Sequence, residues 1–189
     1  MEMQGSRTLP VAQNHVWDAL NNSDILKACI PGCNQFELTQ PNEYAVVVAL
    51  KIGPVSAKFT GKVSLMDIVP PNSYALQFEA QGGVAGFGKG TSKVLLTPTP
   101  KGCELSYAVS SQVGGKIAQL GQRLIDGAAK SLAEDFFQRF ENELLKLYPA
   151  SATTDAAAMS EEKTHTGTPE WVWLLGAVVV AVSIWFIKH

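Results

Sequence analysis

Apolar and polar positions alternate with period two over much of the chain. Residues 43–52 place Tyr44, Val46, Val48, Leu50 and Ile52 on one face. Residues 58–69 do the same with Phe59, Val63 and Leu65. Residues 73–80 set Tyr74, Leu76, Phe78 and Ala80 against Ala75, Gln77 and Glu79, and residues 103–113 set Cys103, Leu105, Tyr107, Val109 and Val113 against Glu104, Ser106, Ser110 and Gln112. Such alternation predicts strands with one wet and one dry face. The links TQPNE, VPPNS and TPTPKG are short and carry turn residues, so consecutive strands pair antiparallel. Residues 2–9 read as a further strand, closed by Pro10. Val11, Val16, Ala19 and Leu20 then predict a short helix, and SDILKA a second, with Ser23 as its N-cap. At the far end of this region the period changes. Ile117, Leu120, Leu124, Ala128, Leu132, Phe136, Phe140, Leu144 and Leu147 recur every three or four residues, predicting one long helix over Gly115–Leu147.

The expected order is therefore strand, two short helices, a meander of about six strands and a long helix. That is an α+β fold. A sheet with one apolar face and a helix with one apolar stripe must cover each other. If the sheet curls around the helix, the space between them stays partly open, as a cavity for an apolar small molecule.

Composition divides the rest of the chain. Residues 150–170, ASATTDAAAMSEEKTHTGTPE, are rich in Ala, Ser and Thr and nearly devoid of large apolar side chains, which predicts a disordered linker. Then, from Trp171 to Ile187, no residue is charged. A helix of that length covers roughly 25 Å, near the lower limit for a hydrocarbon core. Trp171, Trp173 and Trp185 stand at its ends like interfacial belts, and Lys188 can reach the headgroups. The expected organisation is a domain over 1–149, the linker over 150–170 and a single-pass C-terminal membrane anchor over 171–188. No signal peptide is evident at the start, so the main domain is expected on the cytoplasmic side of the inner membrane. The net charge of −2 over 189 residues gives no footprint for nucleic acid.

Several stretches invite a chemical reading. GVAGFGKGT (83–91) nearly spells a phosphate loop, but Gly90 stands where Ser or Thr should hold magnesium, and a strand follows where a helix is needed. It reads instead as a bulged strand connection, or more sharply as a cavity rim with Phe87 as a gate. KACIPGCNQ (27–35) carries Cys29 and Cys33 around Ile-Pro-Gly. Zinc would want two more ligands at paired spacing, and a thioredoxin-like pair would have two residues between its cysteines, not three. The stretch reads as a hinge between helices and sheet, with the cysteines as small apolar fillers. The histidines, His15, His165 and His189, have no catalytic or ligand partner at a recognisable spacing. Arg7 shares strand parity with Met3 and Leu9; it is either a charge near the cavity or an edge residue reaching out to solvent.

KIGPVSAKFTGKV (51–63), SYALQFEAQGGVAGFGKGTSKVLLTP (73–98), GGKIAQLGQRLIDGAAKSLAEDFFQRFE (114–141) and the IPGC of the hinge together resemble the CoxG family of carbon monoxide dehydrogenase, over about residues 1–147. The resemblance implies a START-like (SRPBCC) helix-grip fold. It also implies a partner, a molybdenum hydroxylase of the carbon monoxide dehydrogenase type, which such proteins recruit to the membrane and link to the quinone pool. Molybdenum and flavin would belong to that partner.

The functional expectation is a non-catalytic, membrane-anchored accessory protein with no cofactor of its own and a quinone or similar apolar ligand in its cavity. The candidate ligand-binding residues are Tyr44, Val46, Val48, Phe59, Phe78, Phe87, Tyr107, Leu120 and Leu124, with the tyrosines as headgroup donors. Each also reads as ordinary core packing, the commoner fate of an apolar residue at such spacing. Two other readings stand beside this one. The domain could be a recruitment anchor with a filled core, or a START-like enzyme on a hydrophobic substrate, which would need an acid–base group inside the cavity.

Overall fold

The computed structural model describes residues 1–149. The expected linker and membrane anchor lie outside these residues, and no helix within them is long and apolar enough to cross a membrane. Seven strands form one antiparallel sheet: β1 (Glu2–Leu9), β2 (Cys33–Gln40), β3 (Glu43–Ile52), β4 (Val55–Val69), β5 (Ser73–Gln81), β6 (Phe87–Thr99) and β7 (Gly102–Gly114), in the order β1-β7-β6-β5-β4-β3-β2. β2 to β7 are the expected six-strand meander. β1 closes its far edge, pairing Glu2 with Ser110 and Leu9 with Cys103.

The curvature has local causes. In β4 the register against β5 shifts between Met66 and Val69, where Asp67 has φ 49°. A bulge of this kind bends a strand and increases its twist. Within the strands, Gly61 and Gly90 allow close approaches of neighbouring backbone. A Cβ at Gly61 would run into the Glu79 carbonyl, and one at Gly90 into that of Ser110.

The short helices α1 (Gln13–Leu20) and α2 (Ser23–Cys29) fall where expected, with one correction. The N-cap of α2 is Asn22, not Ser23. Its backbone is extended, and its Oδ1 accepts from the amides of Asp24 (2.9 Å) and Ile25 (3.2 Å), two groups the first turn leaves unpaired. Residues 27–35 form the hinge between helices and sheet: α2 ends at Cys29, Gly32 takes φ 71°, and β2 starts at once, at Cys33.

The long helix is also corrected. It runs from Gln122 to Leu147 as α3, not from Gly115. Ala118–Leu120 form a 3-10 turn, and Gly121, at φ 87°, breaks the chain between the two. The face turned to the sheet carries Ile125, Phe137, Phe140 and Leu144, while Leu124 (44 % exposed) and Leu147 (51 %) stay in water.

The core lies mainly at one end. Leu9, Val11, Val16, Leu96, Cys103, Leu105, Phe140 and Leu144 are sealed there between the sheet, α1 and α3. A smaller cluster of Ile52, Phe59, Ala85 and Ile117 sits at the other.

Candidate ligand cavity

Between the two clusters the concave face of the sheet and α3 do not meet. The reason is side-chain size. Towards its C-terminus α3 presents Phe136, Phe137 and Phe140, which narrow the gap; Phe136 meets Phe137 edge-on at a ring-centroid separation of 5.2 Å and stacks on Phe140 at 5.5 Å. Towards its N-terminus it presents Ile125, Ala129, Leu132 and Ala133, opposite Gly61 and Ala80 on the strands. The alanines and the glycine leave a cavity of about 580 Å³, within the range of small-molecule sites. Val46, Val48, Leu50 and Ile52 of β3 form one wall, with Phe59, Val63 and Phe78 beyond them. Tyr107, Val109, Ser111 and Val113 of β7 form another, and Ile30 and Pro31 of the hinge also line it. An adjoining space of about 280 Å³ shares Ile30, Val63, Phe78, Tyr107, Phe136 and Phe137 with it.

Polar groups here are few. Tyr107 lies against Phe137 (5.4 Å, 29° between planes), with its hydroxyl over Gly5 of β1. Burial, with a smaller push from Glu134, raises its phenol above the ordinary value and keeps it a protonated donor. The Ser111 carbonyl is taken by the amino group of Met1 at 2.8 Å. Lys62 and Glu79 border the cavity and pair with each other at 3.8 Å. Arg7 is a strap rather than a lining charge. Its guanidinium reaches Glu141 (3.1 Å) and Glu134 (3.6 Å) and ties β1 to α3.

The cysteines are free. Cys29 and Cys103 are fully buried, and burial pushes the Cys29 thiol up to about 11, with Glu143 adding to it. Among the described residues no group of three His, Cys, Asp or Glu could hold a metal ion.

Of the residues expected at the site, Val46, Val48, Phe59, Phe78, Phe87 and Tyr107 line the cavity. Tyr44 does not; it faces the adjoining space and packs on Phe36 at 5.0 Å. Leu120 and Leu124 are displaced by the break at Gly121. Leu120 packs with the smaller cluster, and Leu124 lies over the turn at Gly53. The helix wall of Ile125, Ala129, Leu132, Ala133 and Phe137 was missing from the expected site. Ile125, Ala129 and Leu132 are spaced i, i+4, i+7 and share one side of α3, a pattern the alanine makes faint.

The family model of CoxG, a subunit of carbon monoxide dehydrogenase, matches residues 5–145. The chain belongs to this family. Among solved structures, the CoxG-family domain is similar to a conserved protein from Geobacillus kaustophilus, at 35 % identity and a TM-score of 0.73, covering 77 % of this chain and 96 % of that one. A protein from Rhizobium leguminosarum shares the fold at 14 % identity and TM-score 0.61, over 77 % and 95 % of the two chains. The protein Ara h 8.0201 shares it at 16 % and 0.56, over 77 % and 98 %. None of the curated proteins matches. The α+β architecture of this CoxG-family member is the START-like helix grip: a curved antiparallel sheet around a long C-terminal helix.

Proposed function

We propose that this chain is a non-catalytic accessory protein that binds a quinone in its cavity and recruits a molybdenum hydroxylase of the carbon monoxide dehydrogenase type to the cytoplasmic membrane. The observation that carries the ligand reading is the apolar cavity of about 580 Å³ between β3, β4, β5, β7 and α3. A quinone asks for an apolar slot around its ring and tail and a donor for a carbonyl oxygen. The slot is present, and Tyr107 is a protonated donor on its wall. Lys62 and Glu79, which border the same space, are paired with each other. Family membership supports the dehydrogenase as partner. The uncharged run from Trp171 to Ile187 supports the membrane anchor.

The test compares the full chain with Ala129→Phe, which puts a ring into the cavity. Both are purified from membranes in one detergent and their lipid extracts are read by mass spectrometry. Quinone retained by the natural chain and lost from the variant is the expected result. Equal quinone in both, or none in either, overturns the ligand reading. Co-purification of the dehydrogenase from the same membranes tests recruitment separately.

A further inference from the structure

The cavity ends at one tip of the domain. The β3–β4 turn at Gly53, the 3-10 turn Gly83–Ala85, the start of β6 and the first turn of α3 meet there. Ile117 donates its amide to the Ala85 carbonyl at 2.9 Å, and Leu124 lies over Gly53. Three large apolar side chains of this tip stand in water: Val84 at 85 % exposure, Phe87 at 42 % and Leu124 at 44 %. Phe87 also lines the cavity, so it stands at the opening.

Around these three the sequence sets Lys51, Lys58, Lys89, Lys116 and Arg123, all exposed. None forms an ion pair among the described residues. The carboxylates nearby are engaged or set to the side. Asp126 accepts from Gln122 at 2.7 Å, Glu79 lies across from Lys89 but pairs with Lys62, and Glu2 opens β1.

An uncovered apolar group with exposed cations on the same chain elements, unpaired among the described residues, has a specific complement, an anionic bilayer. It offers phosphates at its surface for the cations and acyl chains beneath for the apolar side chains. We infer that this tip seats on an anionic membrane, with Val84, Phe87 and Leu124 entering the interface and the five cations meeting phosphates, so that the cavity opens onto the acyl region. Passage of ligand through that opening rests on the proposed function; the seating itself does not.

The full chain is reconstituted into vesicles of phosphatidylcholine with or without phosphatidylglycerol. In a Cys33→Ser background a fluorophore is placed on Val84→Cys or, as a control, on Leu38→Cys, which is 59 % exposed near the opposite end of the β2–β3 hairpin. Doxyl-labelled lipid reports contact with the bilayer. Quenching is expected to be several-fold stronger at position 84 than at 38, and only with phosphatidylglycerol. It should be lost in Lys58→Glu/Lys116→Glu, and equally in the chain without those two changes at high salt. Equal quenching at both positions, or quenching at 84 that ignores both lipid charge and salt, overturns the seating. Quinone content of the same samples is measured independently. Retained quinone without contact at 84 overturns the seating alone, and contact without quinone overturns the ligand reading alone.

Discussion

The two ends of α3 face the same sheet and do opposite things. At its C-terminal end Phe140 and Leu144 pack with Leu9, Leu96 and the buried side of α1, and both are fully buried. At its N-terminal end alanines face glycine and alanine, and the same two layers stand apart around empty space. Backbone geometry is shared between the ends, so side-chain volume makes the difference. One half of the helix holds the domain together, and the other half forgoes packing to keep room for a guest.

The largest effect that could break this contrast is a pair of truncations. Phe140→Ala empties a fully buried site and is expected to cost about 3–5 kcal/mol of stability. Leu132→Ala enlarges a space that is already open and should cost about 1 kcal/mol. Urea denaturation of both variants reads the difference; similar costs would mean that the open end is packed in solution.

A smaller effect sharpens the role of the open half. Tyr107→Phe removes the hydroxyl and keeps the ring on Phe137. Quinone binding should weaken about fivefold, the equivalent of ~1 kcal/mol for one hydrogen bond, with little change in stability. Unchanged affinity in a fluorescence titration would remove Tyr107 from the site.

The mildest test concerns the sealed half. The Cys29 thiol is raised from 9.0 to about 11 in the folded domain, so its neutral form is favoured there. This contribution is fully present below pH 9.0 and is lost as pH rises towards 11. Unfolding stability should therefore decline across that window, less steeply in Cys29→Ala. Equal slopes would place the thiol in contact with water.

The sheet was legible in the sequence because its signal is local. Strand parity depends only on alternation, and every inward residue read from β3, β5 and β7 faces α3 or the space beneath it. The helix wall was harder. Leu132, Phe136, Phe140 and Leu144 of the expected stripe do turn inward, but α3 starts at Gln122 instead of Gly115, and its first turn departs from the stripe. Leu124, in that first turn, lies in water, and Ala129 and Ala133 fall outside the stripe, since an alanine carries little hydrophobic signal. The cavity is written in what those small residues lack, and period analysis weighs what is present. The cap at Asn22 was missed by one position, because Asn and Ser are nearly equivalent there and only the backbone chooses between them.

The pairing of β1 with β7 has a consequence for how the protein is made. The amino group of Met1 finds the Ser111 carbonyl, 110 positions along the chain. On a ribosome the first strand emerges long before its partner has been synthesised. It must wait as a bare edge while the meander assembles one hairpin at a time, because each hairpin needs only its neighbour. Closure of the sheet, and with it the Arg7 strap onto α3, becomes a late event in the life of the nascent chain.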